Sequence, residues 1–289
     1  MSLPRAALPI VEPTAPKAPL PEGACDAHVH MMGDDFPLWD GRVEDPAPGL
    51  LEDWAQRLER HLARLGLARV VIVHSIVYGG DNAVTLAAVR RLGGRARGIG
   101  LVTDGATEAE LDALAEAGVR GVRLNYVHGG ILSWAGVQAM APRLAARGMH
   151  VQMLMNAHRH MADLADAVRG MPVPVVFDHI GWPNLGAGPS EPGFDQLRGL
   201  VADGAALVKL SGLYRLCDAP YDAAAEHVAS LATANPDGCL WGSDWPHIML
   251  ADAKQPDAGI LLNAFLDVVT RDADRRTILT QVPERLYGF

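Results

Sequence analysis

Ala24-Cys25-Asp26-Ala27-His28-Val29-His30 is an apolar run that ends on two histidines two positions apart. In an extended strand residues i and i+2 share a face, so both imidazoles project together from the strand's C-terminal end. Two later runs stop on ionisable groups in the same way. Val173-Pro174-Val175-Val176-Phe177-Asp178-His179 ends on a histidine, and Cys239-Leu240-Trp241-Gly242-Ser243-Asp244-Trp245-Pro246 closes around an aspartate. Three strands that deliver His28, His30, His179 and Asp244 to one rim would make an active site, since polar groups at barrel strand ends read as catalytic.

Working outward, the same kind of run recurs. Past residue 23, β-branched runs at 24–30, 69–75, 97–102, 120–126, 150–155, 173–179, 206–212 and 239–245 alternate with amphipathic stretches. The latter fall at about 50–66, 81–93, 107–117, 133–147, 158–169, 191–203, 219–234 and 258–281, the last broken near Asp272. Short, near-continuous apolar runs are what strands buried on both faces look like. Gly66, Gly118 and Gly148 follow helices as C-terminal caps do, and Thr107-Glu108-Ala109-Glu110 has the form of a capping box. Eight strand–helix repeats call for an α/β fold, a single (β/α)8 TIM barrel over 24–289. An open doubly wound sheet would want a Gly-rich phosphate loop after its first strand; this chain has Met31-Met32-Gly33-Asp34-Asp35 there. Residues 1–23, with Pro4, Pro9, Pro13, Pro16, Pro19 and Pro21, read as an extended N-terminal arm.

Bulk properties remove several function classes. The chain has 289 residues, 49% of them hydrophobic, enough for a substantial core. A formal net charge of −9 argues against binding a phosphate backbone, so no nucleic-acid partner is expected. No run of about 20 uncharged apolar residues is present, so no membrane partner is expected either. No signal-peptide core is read at the N-terminus. The three cysteines, Cys25, Cys217 and Cys239, suit a reducing, cytoplasmic compartment. The oligomeric state stays open.

Around the rim the strand ends also offer Ser75, Tyr78, Arg123, Asn125, Asn156, Arg215 and His247 as substrate-binding candidates. His74 points opposite Ser75 by alternation and reads as packed outside the barrel, while His150 starts its strand on the opposite rim. Asp81-Asn82 serves as an N-cap before the next helix. His28, His30, His179 and Asp244 could hold Zn²⁺ or Mn²⁺. The fifth strand ends Met153-Leu154-Met155-Asn156, without a further ligand, which favours metal-independent catalysis with no cofactor required.

With these residues placed, the chain resembles the amidohydrolase superfamily, in the branch that contains 2-pyrone-4,6-dicarboxylate lactonase and sugar lactonases. The matching pieces are Asp26-Ala27-His28-Val29-His30, Tyr78-Gly79-Gly80-Asp81-Asn82 and Gly121-Val122-Arg123-Leu124-Asn125. Asp178-His179-Ile180-Gly181, Lys209-Leu210-Ser211-Gly212 and Gly242-Ser243-Asp244-Trp245-Pro246-His247 complete the set. The resemblance implies hydrolysis of a small anionic lactone, with Asp244 as general base on water and His28, His30 and His179 around the developing oxyanion. It implies that Arg123 and Arg215 hold substrate carboxylates and that Ser75 touches substrate.

The chain departs from that branch in ways that bear on substrate. The loop after the fourth strand reads Tyr126-Val127-His128-Gly129-Gly130 where the pyrone lactonase carries another arginine, Met155 replaces a tyrosine, and Trp182 replaces an arginine. Fewer cations imply a substrate with fewer acid groups than the pyrone dicarboxylate. Two other readings are kept: a metal-dependent decarboxylase of a small aromatic or unsaturated acid, and a non-catalytic binder of small acids. A binder has no use for a carboxylate beside three histidines, because it repels the anion to be held.

Overall fold

In the computed structural model, which describes residues 3–251 and 253–289, eight parallel strands follow one another round one sheet in chain order. They are β1 (Cys25–Val29), β2 (Arg69–Val73), β3 (Ala96–Gly100), β4 (Val119–Asn125), β5 (His150–Leu154), β6 (Val175–Phe177), β7 (Leu207–Leu210) and β8 (Cys239–Trp241). Between and after them lie α1 (Leu51–Leu65), α2 (Ala83–Leu92), α3 (Glu108–Glu116), α4 (Trp134–Ala145), α5 (Ala157–Arg169), α6 (Pro192–Ala202), α7 (Ala225–Ala234) and α8 (Ala258–Val268). A last helical stretch runs from Asp272 to Tyr287, so the helix expected over 258–281 breaks after Val268, resumes at Asp272 and ends six residues beyond its expected end. This is the (β/α)8 barrel the eightfold alternation calls for. The capping box forms as expected: Glu110 N–H donates to the Thr107 hydroxyl at 3.2 Å and Thr107 N–H to Glu110 Oε2 at 2.7 Å.

The strands bury both faces. Cys25, Ala27, Val71, Val73, Ile99 and Leu240 pack inside the barrel, over Val282 and Tyr287 of the last helical stretch. Val70, Ile72, Leu124, Met153 and Phe177 pack into the layer beneath the helices. Each such Val, Leu or Phe contributes about 1.5–3 kcal/mol when fully buried.

β1 breaks the alternation in one place. Ala27 belongs to the interior layer and Val29 to the layer beneath the helices, although a regular strand would give both the same face. The ladder to β2 shifts register between Asp26 and Val29. The shift leaves Asp26 turned towards His61 of α1, 4.0 Å away, while His28 and His30 turn into the barrel mouth. Bulges beside active sites commonly re-aim side chains in this way.

Parallel ladders join each strand to the next from β1 to β8, with register shifts in the first and third. The remaining seam, β8 to β1, is closed beyond the strand ends. Asp244 N–H donates to the His28 carbonyl at 2.9 Å, and His30 N–H donates to the Trp245 carbonyl at 2.7 Å. The proline-rich segment lies along the domain, with Ala6 N–H on the Asp45 carbonyl at 2.8 Å and the Thr14 hydroxyl on Asp257 at 2.8 Å. Among the described residues no helix is long and apolar enough to cross a membrane.

Candidate active site

The mouth of the barrel holds a cavity of about 170 Å³ with His28, His30, His179 and Asp244 at its floor. That is below the ~300–1,000 Å³ typical for drug-sized ligands, so the occupant is a small molecule. Ile76, Leu101, Ile131, Leu132, Leu154 and Ile248 give it an apolar wall. Arg123 and Ser75 supply polar groups.

Two of the four floor residues sit further along the chain than a strand-end reading places them. The strands expected over 173–179 and 239–245 stop at Phe177 and Trp241, so His179 opens a 3-10 turn and Asp244 lies in the following loop. Both have positive φ, 54° and 63°. Non-glycine residues held there cost on the order of 1–3 kcal/mol and persist only where their surroundings over-determine them. The surroundings do so with two glycines. A Cβ on Gly212 would meet the His179 ring at 2.5 Å, and one on Gly242 would meet the His28 backbone nitrogen at 2.8 Å.

Asp244 is the hub. Its Oδ2 accepts from the Tyr214 hydroxyl at 2.7 Å and from Arg215 Nε and Nη2 at 3.0 and 2.9 Å. Its Oδ1 lies 3.2 Å from His30 Nε2 and 3.5 Å from His28 Nε2, and His179 Nε2 stands 3.6 Å from Oδ2. His30 Nδ1 is 2.8 Å from the Val73 carbonyl, which can only accept, so that nitrogen carries a proton. Nε2 of His30 stands within hydrogen-bond distance of the carboxylate. His179 Nδ1 is 3.0 Å from the Ser211 hydroxyl.

Burial alone would raise the Asp244 carboxyl, but the Arg215 guanidinium, His179 and the His30 hydrogen bond outweigh it and hold it well below the usual range. Burial lowers His28 to about 3 and His179 to about 4, so both rings are neutral near pH 7. The site therefore presents an ionised carboxylate beside the neutral rings of His28 and His179, and a carboxylate held ionised at neutral pH can accept a proton from water.

Below the floor lies a charged layer that strand-end reasoning missed. Lys209 Nζ donates to Gln152 Oε1 at 2.6 Å, and Gln152 Nε2 donates to Asp178 Oδ2 at 3.1 Å. Asp178 Oδ1 and Lys209 Nζ lie 3.2 and 3.5 Å from His28 Nδ1. Burial brings Lys209 down to about 8, while His28 and Lys209 hold Asp178 below the carboxylate range against its burial. The available signal was a lysine inside a buried strand, Leu207-Val208-Lys209-Leu210, since lysine is almost never fully buried without a partner.

The other candidates separate by what they touch. Ser75 lines the cavity, and its buried hydroxyl has no partner among the described residues. Arg123 lines it too, held by one bond from Nη1 to the His74 carbonyl at 2.6 Å. Asn125 reaches the cavity, but its Oδ1 accepts from Val127 and His128 N–H and braces the loop. Arg215 lines the cavity and spends its guanidinium on Asp244 rather than standing free for a substrate carboxylate. Tyr78 turns away: its hydroxyl accepts from Gly33 N–H at 2.8 Å. Asn156 precedes α5 outside the cavity lining. His247 stands behind the site, its Nε2 on the Ser243 carbonyl at 3.1 Å and its ring edge-on to Tyr214. His74 bonds Thr85 of α2 at 3.0 Å, outside the barrel. Asp81, not Asn82, takes the Ala83 N–H, while Asn82 ties to both backbone groups of Leu101.

Ligand-type atoms of His28, His179 and Asp244 lie within 4.8 Å of one another, a donor set of the kind that holds a divalent ion. The Arg215 guanidinium, already on Asp244, places a fixed positive charge where such an ion would add two more.

A carboxylate ringed by imidazoles at the C-terminal mouth of a parallel barrel defines a hydrolytic enzyme site. The chain belongs to the amidohydrolase family, whose pattern matches residues 25–289. It is 35% identical over 294 residues to a 4-sulfomuconolactone hydrolase of Rhizobium radiobacter, covering 97% of this chain and 96% of that one. It is 31% identical to a 2-pyrone-4,6-dicarboxylate hydrolase of Comamonas testosteroni, over 95% and 93% of the two chains. Among solved structures, a putative 2-pyrone-4,6-dicarboxylic acid hydrolase from Pseudomonas putida superimposes with a TM-score of 0.77 at 26% identity, covering 93% of this chain and 98% of that one.

Proposed function

We propose that this protein hydrolyses a small anionic lactone without a bound metal, in the breakdown of aromatic or sugar acids. The observation that carries the reading is Asp244, kept ionised by Arg215 and Tyr214 on one oxygen while the other faces His28 and His30. Water beside Oδ1 gives its proton to the carboxylate as its oxygen attacks the lactone carbonyl. The resulting oxyanion is stabilised by imidazole N–H groups; a preorganised donor of this kind is commonly worth about 3–4 kcal/mol. The tetrahedral intermediate then expels the ring oxygen, which recovers the proton from Asp244. The product is the open hydroxy acid.

Arg123 anchors the acid group of the substrate, and the unpartnered Ser75 hydroxyl hydrogen-bonds it. Since Arg215 is engaged by Asp244, a second acid group meets His128 at the loop rather than another free guanidinium among the described residues. A lactone with one acid group is therefore preferred to the pyrone dicarboxylate. The similarity to lactone hydrolases supports the substrate class, and the charge on Arg215 supports metal-free chemistry. Three free cysteines, two of them buried, suit the cytoplasm.

Steady-state turnover over pyrone, muconate and sugar lactones tests this, beside Asp244→Asn. The variant is expected to lose at least on the order of 10²–10⁴-fold in kcat, the span general-base catalysis contributes. No turnover of any lactone, or full turnover by the variant, would overturn the reading. Elemental analysis accompanies it: stoichiometric zinc or manganese on His28, His179 and Asp244, with activity lost on chelation, would favour the metal-dependent decarboxylase.

A further inference from the structure

Lys209 has no exposed surface, does not line the cavity, and is not used by the chemistry above. Its ammonium is held by Gln152 Oε1 at 2.6 Å and stands 3.8 Å from Asp178 Oδ1. It is 3.5 Å from His28 Nδ1, within hydrogen-bond geometry. Asp178 Oδ1 is nearer to Nδ1, at 3.2 Å, yet among the described residues that oxygen is left without a hydrogen-bond partner. An ammonium has only donors, so the group that meets Nδ1 in bonding geometry demands a lone pair from it. A neutral imidazole that accepts at one nitrogen carries its proton on the other.

We propose that Lys209 is a positioning residue that fixes the tautomer of His28, donating to Nδ1 so that the ring's proton stays on Nε2, facing Asp244 and the substrate carbonyl. Gln152 and Asp178 hold the ammonium in place: one accepts its proton, the other balances its charge, and the two are tied by the 3.1 Å bond from Gln152 Nε2. His30 has the opposite polarity, with its Nδ1 proton committed to the Val73 carbonyl. The two histidines of β1 then have different duties. His28 supplies an N–H to the developing oxyanion, and His30, its Nδ1 proton held by Val73, presents Nε2 to the carboxylate that takes a proton from water.

The tautomer can be read directly by ¹⁵N NMR of histidine-labelled protein at neutral pH, with His28 assigned by the signals missing in His28→Asn. The wild-type ring is expected to show a protonated Nε2 and a bare Nδ1. A protonated Nδ1 in the wild type overturns the proposal whatever any variant does, and this arm needs neither a substrate nor a stable mutant. Lys209→Met is the second arm. It is expected to move the proton to Nδ1, beside Asp178, and to lower kcat on the order of 10²-fold, as loss of an oxyanion donor does, with KM within about twofold. An unchanged tautomer in a folded Lys209→Met protein overturns the proposal as well. The kinetic arm rests on the lactonase reading and the spectroscopic arm does not. A correct tautomer with no lactone turnover would sink that reading and leave the role of Lys209 standing.

Discussion

Arg215 grips Asp244 by a single oxygen: Nε and Nη2 both donate to Oδ2, at 3.0 and 2.9 Å, while Oδ1 is left to the histidines. The guanidinium thus acts on the carboxylate proposed as general base before it can act on substrate. Arg215→Met is expected to lower kcat on the order of 10²-fold or more, with a smaller change in KM. Removing the cation raises the Asp244 carboxyl, so the acid limb of the kcat–pH profile should move to higher pH. A variant that raised KM alone, with the limb in place, would return Arg215 to a substrate-clamping role.

Arg123 makes the contrasting case. Among the described residues its guanidinium bonds the His74 carbonyl alone, and Arg123 lines the cavity. Arg123→Met should raise KM for an acid-bearing lactone by roughly 30-fold or more, since losing one partner of a buried charged contact costs about 2–5 kcal/mol. Tyr78→Phe, whose hydroxyl serves Gly33, should leave KM unchanged. Kinetics of the two variants side by side separate the readings, and equal KM shifts would contradict both.

Gly212 supports His179 from below with φ of 69°. Gly212→Ala adds a methyl 2.5 Å from the ring on backbone that alanine disfavours. We expect a loss of about 1–3 kcal/mol in urea unfolding together with a fall in kcat. Wild-type stability with normal kcat would show that the ring is free to shift.

Acid should unfold the protein from an unusually high pH. Burial lowers His28, His61 and His150 to about 3, and His74, His179 and His247 to about 4, against an unfolded value of 6.5. Below pH 6.5 the unfolded chain binds protons that these six rings refuse, so stability falls as pH falls towards 4. Asp26 opposes this: burial raises it to about 6, and its contribution is present at low pH and lost as pH rises through 6. Six groups outweigh one. Tm by circular dichroism should drop steadily between pH 6.5 and 4; a level Tm across that window would refute the assignment of neutral buried rings.

The barrel was legible because burial on both strand faces leaves a plain mark, runs such as Val70-Val71-Ile72-Val73 between amphipathic stretches. The chemistry-bearing residues were legible by type, but less so by placement. Period-two reasoning sends Asp26, His28 and His30 to one face, whereas the register shift in β1 splits them. Local sequence carries no mark of that shift, because it is set by pairing with β2. For the same reason Arg215 reads as a free cation until the loop after β8 folds Asp244 back onto it. Lys209 was visible as an anomaly, a charge inside a strand, but its partners Gln152 and Asp178 come from β5 and from the residue just after β6.

The seam between β8 and β1 is joined by the backbones of His28, His30, Asp244 and Trp245, from opposite ends of the chain. During synthesis His28 leaves the ribosome early and Asp244 almost last. A chain that stops short of residue 244 lacks both that join and the carboxylate. Closing the barrel and delivering the acid group are one event, made by one stretch of chain.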